Sequence, residues 1–318
     1  MLAHRAQKRF MVSDGNLGRF FTHASMPAQR AGIVFYGKES VNMARAIRGV
    51  GQSATGHAQT VEEIRAMLAC ANASTFPSLE RSLKADTRKG VVSALNTARK
   101  RIEKEAAEQK RLEGLYAFQR SFADECEASV FVGLDEVGRG SVAGPLAVGA
   151  VILPDEPHIA MLNDSKQLDA AQREEVARKI KEVALAWTVQ YVQPHEIDAQ
   201  GMTASLVCAF SKAVAAIERQ GFDVDLLLLD GNPLHFDKRE RNIVKGDAKC
   251  ASIAAASVVA KVERDTLMVS LAREYPQYGW DQCKGYASAA HIEAIRAYGL
   301  TPYHRVSFCH SFLQETLF

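Results

Sequence analysis

The chain has 318 residues, 47% of them hydrophobic, enough for one large or two modest domains with a substantial core. No continuous apolar run approaches the roughly 20 residues that cross a bilayer, and the start lacks the apolar stretch of a secretory signal. Those features argue against a membrane or exported protein, and a cytoplasmic home is expected. The six cysteines (Cys70, Cys126, Cys208, Cys250, Cys283, Cys309) are scattered, with no CxxC pair and no His spaced for zinc, and read as free thiols. The net charge of +2 conceals an asymmetry, since residues 1–60 carry eight Lys/Arg against two Asp/Glu, 61–125 twelve against ten, and 126–318 nineteen against twenty-five. A basic leader therefore precedes an acidic body.

Residues 1–59 show little periodicity and are expected to be a poorly ordered basic leader. From Thr60 the texture changes. Thr60 followed by Glu63 is a capping-box pattern, and Ile64, Met67 and Leu68 share one helical face. A longer helical pattern follows through Val91, Leu95, Ala98, Ile102, Leu112 and Leu115, with Glu and Lys alternating along its charged side, which reads as a solvated face. Residues 60–125 are thus expected to be a helical extension.

From residue 126 the pattern is that of an α/β domain. ValPheValGlyLeu is a strand candidate ending at Asp135 and Glu136, and Leu146 to Leu153 is a second. A third runs from Ala186 to Gln193, where Trp187, Val189 and Tyr191 alternate with Thr188, Gln190 and Val192. Helical faces lie on either side of it, at Val176, Ile180 and Val183 and at Leu206, Phe210, Val214 and Ile217. LeuLeuLeuLeuAspGly then reads as a strand covered on both faces.

Two adjacent carboxylates leaving an apolar strand are costly unless something neutralises them, and a hard divalent cation does so. Successive strand residues point to opposite faces, so sharing a metal requires Glu136 to lie where the chain has already turned, at Gly138 and Gly140. Asp230 ends the LeuLeuLeuLeu strand, and Asp247 lies in LysGlyAspAlaLys just ahead of AlaSerIleAlaAlaAlaSerValValAlaLys. That helix is so small-sided that it must pack closely on something. Each acid alone reads as a turn or cap residue; the four together point to one metal site.

The motifs then fall in a known order. AspGluValGlyArgGly at 135–140, AsnAspSerLys at 163–166, AspGlyAsn at 230–232, LysGlyAsp at 245–247, SerIleAlaAlaAlaSerValValAlaLysValGluArgAsp at 252–265, LysGlyTyr at 284–286 and HisArgValSerPhe at 304–308 make residues 130–308 resemble bacterial ribonuclease HII. The segment 60–125 is similar to the N-terminal extension of longer members of that family. AlaSer after Tyr286 and Gln167 after the AsnAspSerLys motif depart from the commonest pattern without touching an expected ligand.

The resemblance implies an α/β ribonuclease H-like fold, a mixed five-stranded sheet flanked by helices with a C-terminal helical part, over residues 126–318. It implies an endoribonuclease that hydrolyses the RNA strand of RNA/DNA hybrids and cuts on the 5′ side of single ribonucleotides in duplex DNA, leaving 3′-hydroxyl and 5′-phosphate ends. Asp135, Glu136, Asp230 and Asp247 are then the ligands of two Mg2+ or Mn2+ ions that clamp an in-line displacement. Gly138, Arg139, Gly140 and Tyr286 are expected to read the 2′-hydroxyl and the adjoining deoxyribose. Lys166, Lys245, Lys261, Arg264 and Arg305 are candidate phosphate contacts, Arg264 being equally a candidate partner of Asp265. His304 reads as a satisfied polar residue. A monomer with no membrane contact is expected. Against a ribonuclease HIII-like hybrid nuclease stand Arg139, where that family usually has Lys, and the helical character of 60–125. Against a non-catalytic nucleic-acid-binding module stands the complete set of acids.

Overall fold

The computed structural model of the chain describes residues 59–313. The leader expected over 1–59 lies, except for Gln59, outside the described residues. From Val61 onward the chain forms one compact unit. Helices α1 (Val61–Cys70), α2 (Phe76–Ser82) and the 37-residue α3 (Lys89–Glu125) come first. The expected apolar faces form a cluster of their own, with Ile64, Leu68, Leu79, Val91, Ala98 and Ile102 packed together. The second half of α3 packs elsewhere. Leu112, Leu115 and Tyr116 join the core beside the sheet, and Ala123 packs against Leu226, Leu228 and Ile253.

Strands β1 (Phe131–Val137), β2 (Leu146–Ile152), β3 (Ala186–Val192), β4 (Leu226–Asp230) and β5 (Glu240–Ile243) form one mixed sheet in the order β3-β2-β1-β4-β5. The β1/β2 and β2/β3 pairs are antiparallel, whereas β1/β4 and β4/β5 are parallel. Helix α4 (Ala170–Val183) starts with a reciprocal capping box of Asp169 and Gln172, and α5 (Pro194–Glu218) breaks at Gly201, whose φ is +80°. By length and composition α5 is apolar enough to cross a membrane, which the absence of a long unbroken apolar run did not suggest. Its apolar residues Ala209, Phe210, Ala213, Val214 and Ile217 instead pack on Val132, Leu134 and Val148, so it is a core helix of the sheet.

The other face of the sheet carries α6 (Ala251–Glu274), whose residues from Ala251 to Ala260 are all buried. The small side chains let α6 lie directly on β1 and β2. A Cβ on Gly133 would come within 2.1 Å of the Ser252 carbonyl carbon, and one on Gly149 within 2.3 Å of the Ala256 oxygen. Beyond α6, the short α7 (Trp280–Cys283), α8 (Ala289–Tyr298) and α9 (Val306–Leu313) gather around an aromatic cluster of Tyr275, Tyr278, Trp280 and Tyr303. Among the described residues all six cysteines are free, Cys250 and Cys309 being buried.

Candidate active site

The parallel pairing of β1 and β4 ends at Leu134 opposite Leu229, so Asp135 and Asp230 come next in register at the ends of adjacent strands. Strand ends in such sheets are where ligands gather. Glu136 does not lie beyond the strand as the sequence suggested. It is paired with Val148 inside β1, and the turn starts at Gly138, φ +82°. The β1/β2 ladder runs on to Val137, which keeps both carboxyls on the strand and points them to opposite sides of its pleat. Asp135 faces α6, where Ser257 bonds it, and Glu136 the opposite face of the sheet.

Asp135 is only 7% exposed. Burial pushes its carboxyl well up; Glu136, Asp230 and Asp247 push the same way, and a hydrogen bond from the Ser257 hydroxyl opposes them. The Ser257 hydroxyl lies 3.0 Å from that of Ser165, in the AsnAspSerLys motif, so this motif is tied to the acid through α6. Glu136 is raised by burial and by Asp230, with Arg139 opposing at 3.5 Å. Asp247, also buried, follows the left-handed Lys245 in a single turn of 3-10 helix, Gly246–Ala248. Its carboxyl is raised by burial, Asp230 and Asp164, against Lys166 at 3.5 Å. Asp230 is oriented by the Gly246 amide, which donates to its Oδ1 at 2.6 Å. The structure thus brings the four expected acids into one field and adds Asp164, which the sequence showed only as part of a motif.

Among the described residues no three Asp, Glu, His or Cys side chains converge tightly enough to hold an ion as they stand. The donor set nonetheless suits a hard cation. All of its members are carboxylates, each of Asp135, Glu136 and Asp247 resists ionisation because of burial and acidic neighbours, and among the described residues Lys166 and Arg139 are the cations that pair with them.

Two loops border the acids. The Val142 and Ala143 amides both donate to the Gly285 carbonyl, at 2.9 and 3.0 Å, which staples the LysGlyTyr turn to the chain just after GlyArgGly. Tyr286, 38% exposed, has its ring over the Arg264 guanidinium, with 5.7 Å to the ring centroid. Gly138 is required by the protein itself, because a Cβ there would lie 2.2 Å from Arg264 Nε. Gly140 meets nothing within 4 Å and its φ is outside the left-handed region, so no contact in the protein demands a glycine there.

Two expected phosphate contacts are corrected. Arg264 and Arg305 are fully buried, and backbone carbonyls take most of their donors. Arg264 donates to the Pro145, Lys284 and Ala143 carbonyls and to Ser141 Oγ. Arg305 donates to the Gly144 and Arg139 carbonyls. They brace the GlyArgGly and LysGlyTyr loops from beneath, and Arg264 has no bond to Asp265. That carboxylate pairs instead with Lys261 at 2.8 Å, which engages another expected phosphate contact. Lys166 and Lys245 remain exposed beside the acids. His304 is buried and hydrogen-bonded, as expected for a satisfied polar residue. Sequence reasoning missed Ser165, Ser257 and the buried Gln119, whose Oε1 accepts from the Ser252 amide at 2.9 Å. No local signal marks these residues, since their partners lie far away in the chain.

Residues 132–311 match the family model described as Ribonuclease HII, and residues 60–123 match that of the Ribonuclease HII N-terminal domain. Ribonuclease HII of Halalkalibacterium halodurans is 41% identical over 249 residues, 78% of this chain and 93% of that one. The Shouchella clausii ribonuclease HII is 41% identical over 229 residues, covering 71% and 86% of the two chains. Among solved structures, the complex of PCNA with ribonuclease HII from Archaeoglobus fulgidus contains a chain that matches with a TM-score of 0.50 and 26% identity, over 59% of this chain and 98% of that one.

Proposed function

The chain belongs to the ribonuclease HII family and is an endoribonuclease of that type, and on that premise we propose that it cuts duplex DNA on the 5′ side of a single embedded ribonucleotide as well as the RNA strand of hybrids. The placement of Glu136, Asp230 and Asp247 within the electrostatic field of Asp135, near the ends of β1 and β4, supports this reading. These carboxylates are the groups that would hold divalent cations, magnesium or manganese. Bound there, such ions supply a Lewis acid that activates water and stabilises the departing 3′ oxygen.

The remaining work falls to the protein's own groups. Gly140 leaves room for a sugar to approach the backbone, and the arginine-braced loop carrying Gly138, Arg139 and Gly140 offers main-chain polar groups to a 2′-hydroxyl. The Tyr286 ring, held beside that loop through Gly285, packs on the adjoining deoxyribose. Exposed Lys166 and Lys245 take the phosphates. The bracing arginines keep the readout loops in one geometry, so recognition is preorganised.

The test is cleavage of an end-labelled DNA duplex bearing one ribonucleotide, with magnesium or manganese, beside an Asp135→Asn control. A cut on the 5′ side that disappears in the control is expected. Cleavage confined to longer hybrids would defeat the single-ribonucleotide reading.

A further inference from the structure

Where α6 covers the end of β1 it presents the Ser257 hydroxyl, which is bonded to the Asp135 carboxylate. A serine hydroxyl has one proton, and in mid-helix it can turn back instead to the carbonyl four residues earlier, here that of Ile253. Ser165 Oγ lies 3.0 Å from Ser257 Oγ, and both serines are only 5% exposed. Because Ser257 gives its proton to Asp135, Ser165 must be the donor between the two hydroxyls. The bonds therefore run in one direction, Ser165 to Ser257 to Asp135, and each donation strengthens the next.

The origin of this chain is held as firmly as its end. Ser165 sits in a tight turn in which the Asp164 carbonyl accepts from the Gln167 amide at 2.9 Å and Asp164 Oδ1 accepts from the Lys166 amide at 2.9 Å. From α4, Arg173 donates to the Ser165 carbonyl at 2.9 Å and to the Leu168 carbonyl at 2.7 Å. Burial keeps the Ser165 hydroxyl away from a substrate, whereas the next residue, Lys166, is exposed and pairs with Asp247 at 3.5 Å. One turn thus bears on two of the acids, on Asp135 from within through Ser257 and on Asp247 directly.

We infer that Ser165 is a positioning residue of the metal site: acting through Ser257, it aims the Asp135 carboxylate so that it can share a cation with the neighbouring acids. Among the described residues the acids stand too far apart to hold an ion unaided, and a ligand already aimed loses less freedom when an ion draws them together. The inference rests on the proposed metal site and adds the groups that orient one of its ligands.

The test titrates magnesium and manganese into chelator-stripped full-length chain by isothermal calorimetry. It compares the parent with Ser165→Ala, Ser257→Ala, the double variant and Ser252→Ala. Ser252 is the control, a buried serine of the same helix whose hydroxyl lies 3.3 Å from Cys250 Sγ. Ser165→Ala should weaken metal binding about tenfold, the lower end of what losing a ligand's hydrogen-bonded partner costs, and Ser257→Ala at least as much. The double variant should match Ser257→Ala within about twofold, because Ser165 acts only through Ser257. Cleavage of a single-ribonucleotide duplex by Ser165→Ala should fall at limiting metal and return when metal is raised, with KM for the duplex unchanged. Thermal midpoints in chelator show which chains are folded; if Ser257→Ala is not, Ser165→Ala against Ser252→Ala decides. Parent-like metal affinity in Ser165→Ala overturns the inference, as do multiplying losses in the double variant, a raised KM, or an equal loss in Ser252→Ala. A parent that binds neither metal removes the metal-site reading and this inference with it, whereas a parent that binds and a Ser165→Ala chain that binds equally remove this inference alone.

Discussion

His304 donates its Nε2 proton to His291 Nε2 across 3.2 Å, and the surroundings of the two rings fix this direction. His304 Nδ1 accepts from the Thr301 amide, so its proton is on Nε2. His291 Nδ1 lies 2.9 Å from the Tyr286 carbonyl and must donate to it, which leaves His291 Nε2 to accept from both His304 and the Trp280 indole. Both rings are neutral in this arrangement, and through it the C-terminal helices hold the main chain of Tyr286. A proton added to either ring would place two donors face to face.

Acid should therefore unfold the protein partly through this pair. Burial, then the neighbouring His291, pushes His304 down to about 4 from 6.5. The unfolded chain takes up a proton near pH 6.5 that the folded one refuses, so stability is full above that value and falls as pH drops from there to about 4. Between pH 7.5 and pH 5 the loss amounts to about 2 kcal/mol for His304. Urea unfolding at both pH values should show it, and His304→Gln should lower stability at pH 7.5 while shrinking the difference. An undiminished difference in the variant would count against the assignment.

Arg305→Lys tests bracing against phosphate contact. Lysine keeps the charge but cannot reach the Gly144 and Arg139 carbonyls with one planar fork, so buried acceptors lose partners at about 1–3 kcal/mol each. Thermal unfolding should shift down by several degrees, and KM for a ribonucleotide-containing duplex should rise at unchanged slope against salt. A phosphate role would do the reverse, lowering the slope and sparing stability.

The two glycines of GlyArgGly should behave differently. Gly138→Ala places a Cβ 2.2 Å from Arg264 Nε at φ +82°, and should destabilise by more than about 2 kcal/mol. Gly140→Ala meets no protein atom within 4 Å and should stay within about 0.5 kcal/mol of the parent. It should nevertheless cut single-ribonucleotide cleavage at least tenfold, because the added methyl occupies the space left for the sugar. Full activity of a stable Gly140→Ala chain would show that the backbone there does not read the 2′-hydroxyl.

How much of this was legible in the sequence depended on the range of each interaction. Strands β1 to β4 and the faces of α4 and α5 follow periodicity, because burial of alternate or every third to fourth side chain is a local pattern. β5 (Glu240–Ile243) was not visible, since only Ile243 of its four residues is buried and the strand is held at the sheet edge by backbone pairing to β4. The small residues of α6 announced close packing, but not that Gly133 and Gly149 receive the helix. The acids declared themselves as charges ending apolar runs. Arg264 and Arg305 looked equally suited to phosphate, because the carbonyls that engage them lie between 20 and 166 residues away.

The acid cluster itself should act as a stability switch. Without a cation, burial and then the neighbouring acids hold the carboxyls of Asp135, Glu136 and Asp247 above their ordinary range, and at neutral pH the fold bears that cost. Asp135→Asn removes a buried carboxyl at the centre of the repelling group while retaining a group able to accept from Ser257, so the chelator-treated variant should be at least as stable as the parent and up to roughly 2 kcal/mol more so. Added magnesium or manganese binds the folded state alone and should raise the parent's midpoint, by about 2.7 kcal/mol at a hundredfold excess over the dissociation constant. The variant should respond much less. Scanning calorimetry of both chains, with chelator and with metal, reads this without reference to activity. Equal metal-induced shifts would mean that the ion is held somewhere other than the strand-end carboxylates.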